Sequence, residues 1–583
     1  QKAQAQSGVN RNEIIQQMFR LMAREGGVKF SDALRDYWYA AVLSGLRTQV
    51  DNWANVYNGF LNTAMFAAMA KKDAGFIAYS SLKGLAEGIR DFWPMLWHGE
   101  LYRSVNFNPD QPGSALEGLG ESRNLFAKGI SQFKYVGRLI NALDHMTALM
   151  SDSTAKAYAL RKLYGPEVAR QYLTPSPEVV AAARARAVAE GTRPELINKR
   201  TREIIQENLP VEILLTAKEI REMTTFTETP QGLLGSLYRG LDQAAQGKTF
   251  YKVLSGTNFL RFAANSANEI LNFAFPVALY RWYQSAPGRS EGEYGLKFSE
   301  SRRDLILAKA TFGTALGIFA GALFLGDDDK EEDRNMDITG SFKSLDPNKR
   351  KQLLAEGRQP YSIRFGNTYV SYRQMGFGGV LATIGELRDR QLFSPDKWSQ
   401  ENIIDKILDG AAAGMFIVKD STAISGLTEL LGFANAYKYD TDEFIEKSFP
   451  RYVSRLAGSL VPNILKEVDA WSDPSIFKTE AGNLGYEYFL QQVPFGRREI
   501  GPGPILNVLG EPVKVERYPW SRWAKEREVD PAWSTLGSLA SKGVFMPTPA
   551  ITVKVNENGT RRELTREEKY QYQQAVGQGY RKF

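Results

Sequence analysis

Apolar positions near the start of the chain recur on a helical period. Ile14, Ile15, Met18, Phe19, Leu21 and Met22 fall at i, i+3, i+4 and i+7 spacing, with Arg11, Gln16, Arg20 and Arg24 between them. Trp53 to Ala70 carries no charge but contains Asn55, Asn58 and Asn62, which favours a buried or interfacial helix over a lipid span. The NPDQPG stretch from Asn108 to Gly113 is a loop. Helical patterning returns from about Glu121 to Leu163, and Thr174-Pro175-Ser176-Pro177 stops it. Glu178 to Glu190 is rich in helix formers, and Pro210 breaks the helical run around it. Ile270 to Tyr280 is an apolar run with Pro276 inside it, followed directly by Arg281, Trp282 and Tyr283.

After Pro360 the period changes. Tyr361, Ile363 and Phe365 alternate, Gly366-Asn367 turns, and Thr368 to Tyr372 returns, which predicts a β-hairpin. Ile551, Val553 and Val555 alternate before a turn at Asn556 to Gly559, and Thr565-x-x-Glu568 offers a capping box for a last helix. Five prolines between Pro494 and Pro519 predict an extended stretch draped over other elements. The expected fold is mainly α: an elongated multi-helix structural protein with small β-hairpins. Its expected organisation is an N-terminal helical domain (1-175), a central helical region (176-300), a glycine-patterned apolar helix with an acidic loop (301-358), a hairpin plus helical region (359-493), and a Pro-rich extended segment with a C-terminal hairpin and helix (494-583).

The sharpest single feature is Ala310 to Gly326, ATFGTALGIFAGALFLG, a run without a charge at the lower length limit for a membrane span. Leu305 to Ala308 extends it past Lys309, whose long side chain is expected to snorkel. Gly313, Gly317 and Gly321 would align on one helix face and admit another backbone closely. Three readings stand: a buried core helix, a membrane or pore helix inserted on a switch, and a tight soluble helix–helix seam. The acidic run Asp327 to Asp333 that follows lacks EF-hand spacing and reads as a solvated loop. A mean hydropathy of -0.34 excludes a constitutive polytopic membrane protein.

Composition narrows the chemistry. The chain has no Cys and only two His, His98 and His145, which excludes disulfides, thiolate metal sites, Cys nucleophiles and multi-His centres. Gly120-Glu121-Ser122 faintly resembles the glutamate-serine pair of lytic transglycosylases, but the rest of that pattern is missing, and a helix-start carboxylate is the plainer reading of Glu121. Adjacent Asp144 and His145 point in different directions on a helix and form no relay. No catalytic, cofactor-binding or metal site is therefore expected, and the chain is read as a non-enzyme. The net charge is +7, with basic residues interleaved among aromatics at Arg281-Trp282-Tyr283, at Trp520 and Arg522, and at Tyr580 to Phe583. Such groups suit phosphate contact with base stacking, a membrane interface, or subunit anchoring. The chain opens on Gln1 with no signal segment, which reads as either a processed chain or, the favoured expectation, a piece of a longer polypeptide.

Four segments, in order, together resemble the large polyvalent proteins of phages. They are Leu43-Ser44-Gly45-Leu46-Arg47-Thr48 with Asn52 and Asn55; Asn258 to Asn265 (NFLRFAAN) with Pro276; the Pro360 to Tyr372 hairpin; and the Leu564 to Tyr570 close (LTREEKY). The resemblance implies an internal virion, or DNA-ejection, protein of a short-tailed phage. It would lie inside the capsid and then assemble into a conduit for the genome across the host envelope and periplasm. The implied partners are further copies of the chain, other ejection proteins and the portal, with phage DNA bound non-specifically and the host membrane engaged conditionally. Two alternatives remain: a non-catalytic scaffold region of a capsid-carried cargo enzyme, and a nucleic-acid-binding packaging protein.

Overall fold

The computed structural model describes residues 44–98, 134–231, 257–286, 298–325, 335–394 (apart from 374), 461–477 and, further on, 490–491, 493–507, 509–514, 524–526, 552–554 and 561–582, with 37, 41, 487 and 535 as isolated positions. Among the described residues the chain is mostly helical, with a small four-stranded antiparallel sheet. The expected helix at 14–22, the NPDQPG loop, Glu121, the acidic run 327–333, Trp520 and Arg522 lie outside the described residues.

Helix ends follow local chemistry. Helix α1 (Leu46–Ala70), α2 (Ala74–His98), α3 (Lys134–Tyr164) and α4 (Pro166–Leu173) lead to the Thr174–Pro177 stop, where Ser176 caps α5 (Pro177–Ala189) by accepting from Val179 N–H. Helix α6 (Ile197–Gln206) ends before Pro210, which caps α7 (Val211–Thr224). The apolar run around Pro276 is two helices: α8 (Thr257–Phe273) and α9 (Phe275–Gln284) part at Ala274, and Pro276 sits in the first turn, where a missing N–H costs nothing. Ser299 caps α10 (Glu300–Phe324), accepting from Arg302 N–H at 3.3 Å.

Helix α3 is the beam around which the bundle is built, with α1, α2, α4 and α7 packed on it. Between Met150 and Leu160 it is buried nearly all round, and Ser151, Thr154, Ala155, Ala157 and Ala159 keep it slim enough for neighbours on several sides. Helix α2 answers with Gly84 and Gly88, one turn apart. A Cβ at Gly84 would lie 2.4 Å from the Leu149 carbonyl oxygen, and one at Gly88 2.6 Å from Met146 Cα. One core runs from Met65 and Phe66 of α1 through Tyr158 of α3 and Ile220 of α7 to Phe273 of α8 and Leu305 of α10.

The sheet runs β1 (Met336–Ile338), β2 (Ser362–Phe365), β3 (Thr368–Ser371), β4 (Ala524–Glu526), all antiparallel. Its central hairpin turns at Gly366-Asn367, with Gly366 at φ +56°, where glycine is unstrained. Helix α11 (Pro347–Ala355) precedes this hairpin, and α12 (Gly378–Phe393) follows it. Helix α12 lies so close to the strand-end loop that a Cβ on Gly385 would stand 2.5 Å from the Thr339 carbonyl oxygen. From α12, Glu386 accepts N–H bonds from Ser341 and Ser344, and Asp389 accepts from Gly340. Tyr372 donates to the Thr339 carbonyl at 2.5 Å.

After α13 (Asn463–Ser472), the proline-rich stretch is not extended throughout as expected: it opens with a 3-10 turn at Gly496–Glu499 and then runs through isolated bridges. Its bridges are Ser475 with Lys514, Phe477 with Pro504 and Leu506 with Pro512. The second hairpin, β5 (Thr552–Lys554) with β6 (Arg561–Glu563), leads to α14 (Arg566–Lys582). Its capping box is complete: Glu568 N–H donates to Thr565 Oγ1 at 3.3 Å, and Thr565 N–H donates to Glu568 Oε2 at 2.8 Å. The proline-rich stretch lies on this helix; a Cβ at Gly577 would be 2.0 Å from Gly510 N.

Asp91, buried on α2, gathers His145 of α3 at 3.2 Å and Arg202 of α6. Burial alone would raise its carboxyl; the His145 hydrogen bond and the Arg202 charge outweigh it and hold the group below its usual 3.8. A depressed carboxylate contributes stability that is complete above its unfolded pKa and lost as pH falls through the folded value. Asp91→Asn is therefore expected to cost about 1–3 kcal/mol at pH 7 in urea unfolding, a gap that narrows on acidification below about pH 4. An equal gap at pH 7 and pH 3 would exclude this role.

Candidate functional site: the glycine-faced helix and its ion pairs

Helix α10 has two faces of different chemistry. One carries the glycine column. A Cβ on Gly313 would meet the Phe273 carbonyl oxygen of α8 at 2.1 Å; on Gly317, Val380 Cγ1 of α12 at 3.3 Å; on Gly321, Ile384 Cδ1 of α12 at 3.8 Å. The need for glycine thus falls steadily along the column, from a backbone-on-backbone approach to ordinary van der Waals contact. The other face is open. Leu307, Thr311, Thr314, Ala315, Ile318, Phe319, Ala322 and Leu323 recur at i+3 and i+4 and are exposed, Ile318 at 70% and Phe319 at 66%. Among the described residues one helix, α10, is long and apolar enough to cross a membrane, and 33% of its most apolar window is buried.

The N-terminal half of α10 is anchored by buried charge. Both terminal guanidinium nitrogens of Arg302 donate to Glu228, at 2.6 and 2.9 Å, and one also reaches Glu219 of α7 at 3.3 Å. The guanidinium lies 3.9 Å from the centre of the Phe298 ring. Two turns on, Lys309 is fully buried rather than snorkelling, and its ammonium donates to Glu269 of α8 at 2.5 Å. Asn272 donates to the second Glu269 oxygen at 3.2 Å. The cause lies on α8: Asn265, Asn268, Glu269 and Asn272 form a buried polar stripe, and Glu269 within it takes the Lys309 ammonium while Asn265 donates to the Phe226 and Glu228 carbonyls. From α3, Tyr158 and Lys162 both donate to Asp304 of α10, at 2.9 and 2.7 Å.

The basic–aromatic triplet on α9 divides. Arg281 turns inward, donates to the Asn268 carbonyl at 2.8 Å and faces the Phe298 ring at 5.9 Å. Burial, with the Arg302 charge nearby, pushes its pKa down to about 10. Trp282 is half-buried beneath Arg303, whose guanidinium is 4.8 Å from the ring, and Tyr283 is exposed. The triplet presents aromatic surface outward while its guanidinium is committed to the interior. Among the described residues no three His, Asp or Glu side chains converge as a metal site. The polar stripe of α8 was readable at i, i+3, i+4 and i+7 spacing, as was the Gly84-x-x-x-Gly88 pair of α2. Nothing local in the sequence marks Glu228 or Glu219 as partners of Arg302.

Two outcomes test this arrangement. Gly313→Ala is expected to lose about 1–3 kcal/mol or more through overpacking, while Gly321→Ala gains up to about 1 kcal/mol from helix propensity; Gly317→Ala falls between them, and Gly317→Leu destabilises. Thermal melts of the series check the order, and a uniform response would contradict the packing. Separately, Lys309→Met or Glu269→Leu alone is expected to cost about 3–5 kcal/mol by stranding a buried charge, whereas the double variant recovers most of that loss.

No family model matches this chain, and the comparisons with curated proteins and with solved structures likewise find no match.

Proposed function

We propose that this chain is an internal virion protein of a short-tailed phage, carried in the capsid and released to assemble, with further copies of itself, into a conduit for genome delivery across the host cell envelope. Other ejection proteins and the portal are its proposed neighbours. The observation that supports this reading best is the two-faced α10. Its glycine side and ion pairs tie it to its own bundle, and its opposite side offers a continuous apolar stripe with small residues, Ala315 and Ala322, set between Ile318, Phe319 and Leu323. Small and large residues alternating on one exposed helix face suit ridge-into-groove packing against a second helix. The composition agrees with passage through a narrow portal: without Cys, no disulfide traps an unfolded chain.

Images of purified particles test the proposal. A ring or tube of wild-type protein, converted by Phe319→Glu to folded monomers that melt like wild type diluted to its own monomer, is the expected result, because the new carboxylate is exposed in the monomer and buried only in an assembly. A compact monomer whose behaviour Phe319→Glu leaves unaltered would replace the conduit with the scaffold-region reading. Flotation with anionic liposomes separates the two coverings of the stripe: wild-type binding lost in Phe319→Glu assigns it to the membrane, and no binding assigns it to another copy.

A further inference from the structure

A second feature stands apart from α10. Helices α2, α3, α5 and α6, with the α4–α5 linker, enclose a half-open cleft of about 280 Å³. One wall is a single face of α2, carrying Tyr79, Lys83, Glu87 and Arg90; the opposite wall brings Arg184 of α5 with Asn198 and Gln206 of α6, and Tyr172 lines the cleft from α4.

The charge in this cleft is lopsided. Of its cations, Lys156 is matched by Asp152, and Arg202 by Asp91 and Glu87. Glu87 is the single carboxylate in the lining, and it is already shared with Arg202. Among the described residues Lys83 has only the neutral Leu173 carbonyl, at 2.8 Å. Among the described residues neither Arg90 nor Arg184 has an ion-pair partner, whereas Arg186, two residues on from Arg184 in α5, is paired with Glu190. Three positive charges thus face one concavity without acids to match them. Like charges held together around a cleft are costly unless an anion enters, and low-dielectric walls concentrate their field there.

The remaining lining has the features of a nucleotide pocket. Tyr79 and Tyr172 place exposed aromatic rings at the rim, and Ser153, Asn198 and Gln206 supply hydroxyl and amide groups with no hydrogen-bond partner among the described residues. Guanidinium groups bind phosphate through paired N–H donors, and rings stack on bases. The volume is close to the lower end of small-ligand sites and holds one nucleotide unit. We propose that this cleft is a nucleotide-phosphate site in which Arg90, Arg184 and Lys83 hold the phosphate and Tyr79 or Tyr172 stacks on the base. The ligand is a free nucleotide or one unit of a nucleic-acid strand. The site does not depend on whether the protein forms a conduit.

The test is titration of the full chain with AMP, with a twelve-residue thymidine oligonucleotide and with inorganic phosphate, for wild type and for Arg90→Ala/Arg184→Ala. A Lys72→Ala/Lys582→Ala variant makes the same change in net charge at exposed positions outside the cleft. Because Arg90 and Arg184 are exposed and unpaired, the melting temperature of the cleft variant should match wild type. Saturable binding that weakens at least tenfold in the cleft variant, and stays near wild type in the control, supports the site. Binding of AMP then assigns a free nucleotide. Binding of the oligonucleotide alone, with a salt slope reduced by about 0.7 for each phosphate contact removed, assigns a strand. The proposal is overturned if neither nucleotide probe binds, if both variants weaken binding equally, or if phosphate competes as well as AMP.

Discussion

The ammonium of Lys309 against the carboxylate of Glu269 is the contact on which the second half of the fold turns. Both groups are buried, and each alone would be intolerable there: desolvating a lone charge costs several kcal/mol even after relaxation. The seam between α8 and α10 therefore tolerates both charges or neither, and with both present their pairing fixes the register of the two helices. Once Lys309 is set against Glu269, Gly313 comes to the end of α8 one turn later, where only a residue without Cβ fits against the Phe273 carbonyl. A pair that contributes little net stability still dictates which residues meet. The nearby buried amide oxygens of Asn58, Asn62, Asn265 and Asn272 have no donor among the described residues, so this seam is specified by polarity more than it is stabilised by it.

A helix held this way on one side is free to be apolar on the other. Arg302, Asp304 and Lys309 anchor the first half of α10 to three different neighbours, Glu228, α3 and α8. The second half is held by close packing on α12 and leaves Ile318, Phe319 and Leu323 in solvent. Exposed residues of this kind are ordinary when scattered, but a stripe along one helix face is a surface with a use. The same helix passes a length-and-hydropathy test for a membrane span, yet its first half is committed to buried ion pairs. Insertion into a bilayer would require breaking them, so a covering by protein needs fewer rearrangements than a covering by lipid.

What was legible in the sequence is what nearest neighbours decide. The Gly366-Asn367 hairpin, the Thr565–Glu568 capping box and the stops at Pro175–Pro177 and Pro210 all rest on backbone chemistry within a few residues. The apolar length and glycine column of α10 were legible for the same reason. The partners were not. Lys309 looked like a residue that reaches for solvent, because its pattern says nothing of Glu269 forty positions earlier. Arg281 looked like a surface cation beside aromatics, and its inward turn depends on Asn268 and Phe298 being presented by other elements. His145 was set beside Asp144 in sequence, whereas its carboxylate is Asp91, on another helix. The cleft left no local trace, since its cations at 83, 90 and 184 are separated along the chain and assembled only by the crossing of helices.

Helix α3 runs between the α2–α6 cleft and the anchored half of α10. Ser153 and Lys156 line the nucleotide-sized cleft, while Tyr158 and Lys162, within two turns, bind Asp304 of α10. Over this stretch α3 is buried nearly all round, and close-packed helices shift between discrete arrangements rather than bending freely. Lys156 pairs with Asp152 within α3 itself, so a ligand that drew it away would need only to turn its side chain, leaving the segment that positions Asp304 in place. The small residues of α3, Ser151, Thr154, Ala155, Ala157 and Ala159, let neighbouring helices approach this stretch from several sides. The cleft and the anchor of α10 draw on one helix without sharing a residue, and their separation along the sequence conceals that they rest on one beam.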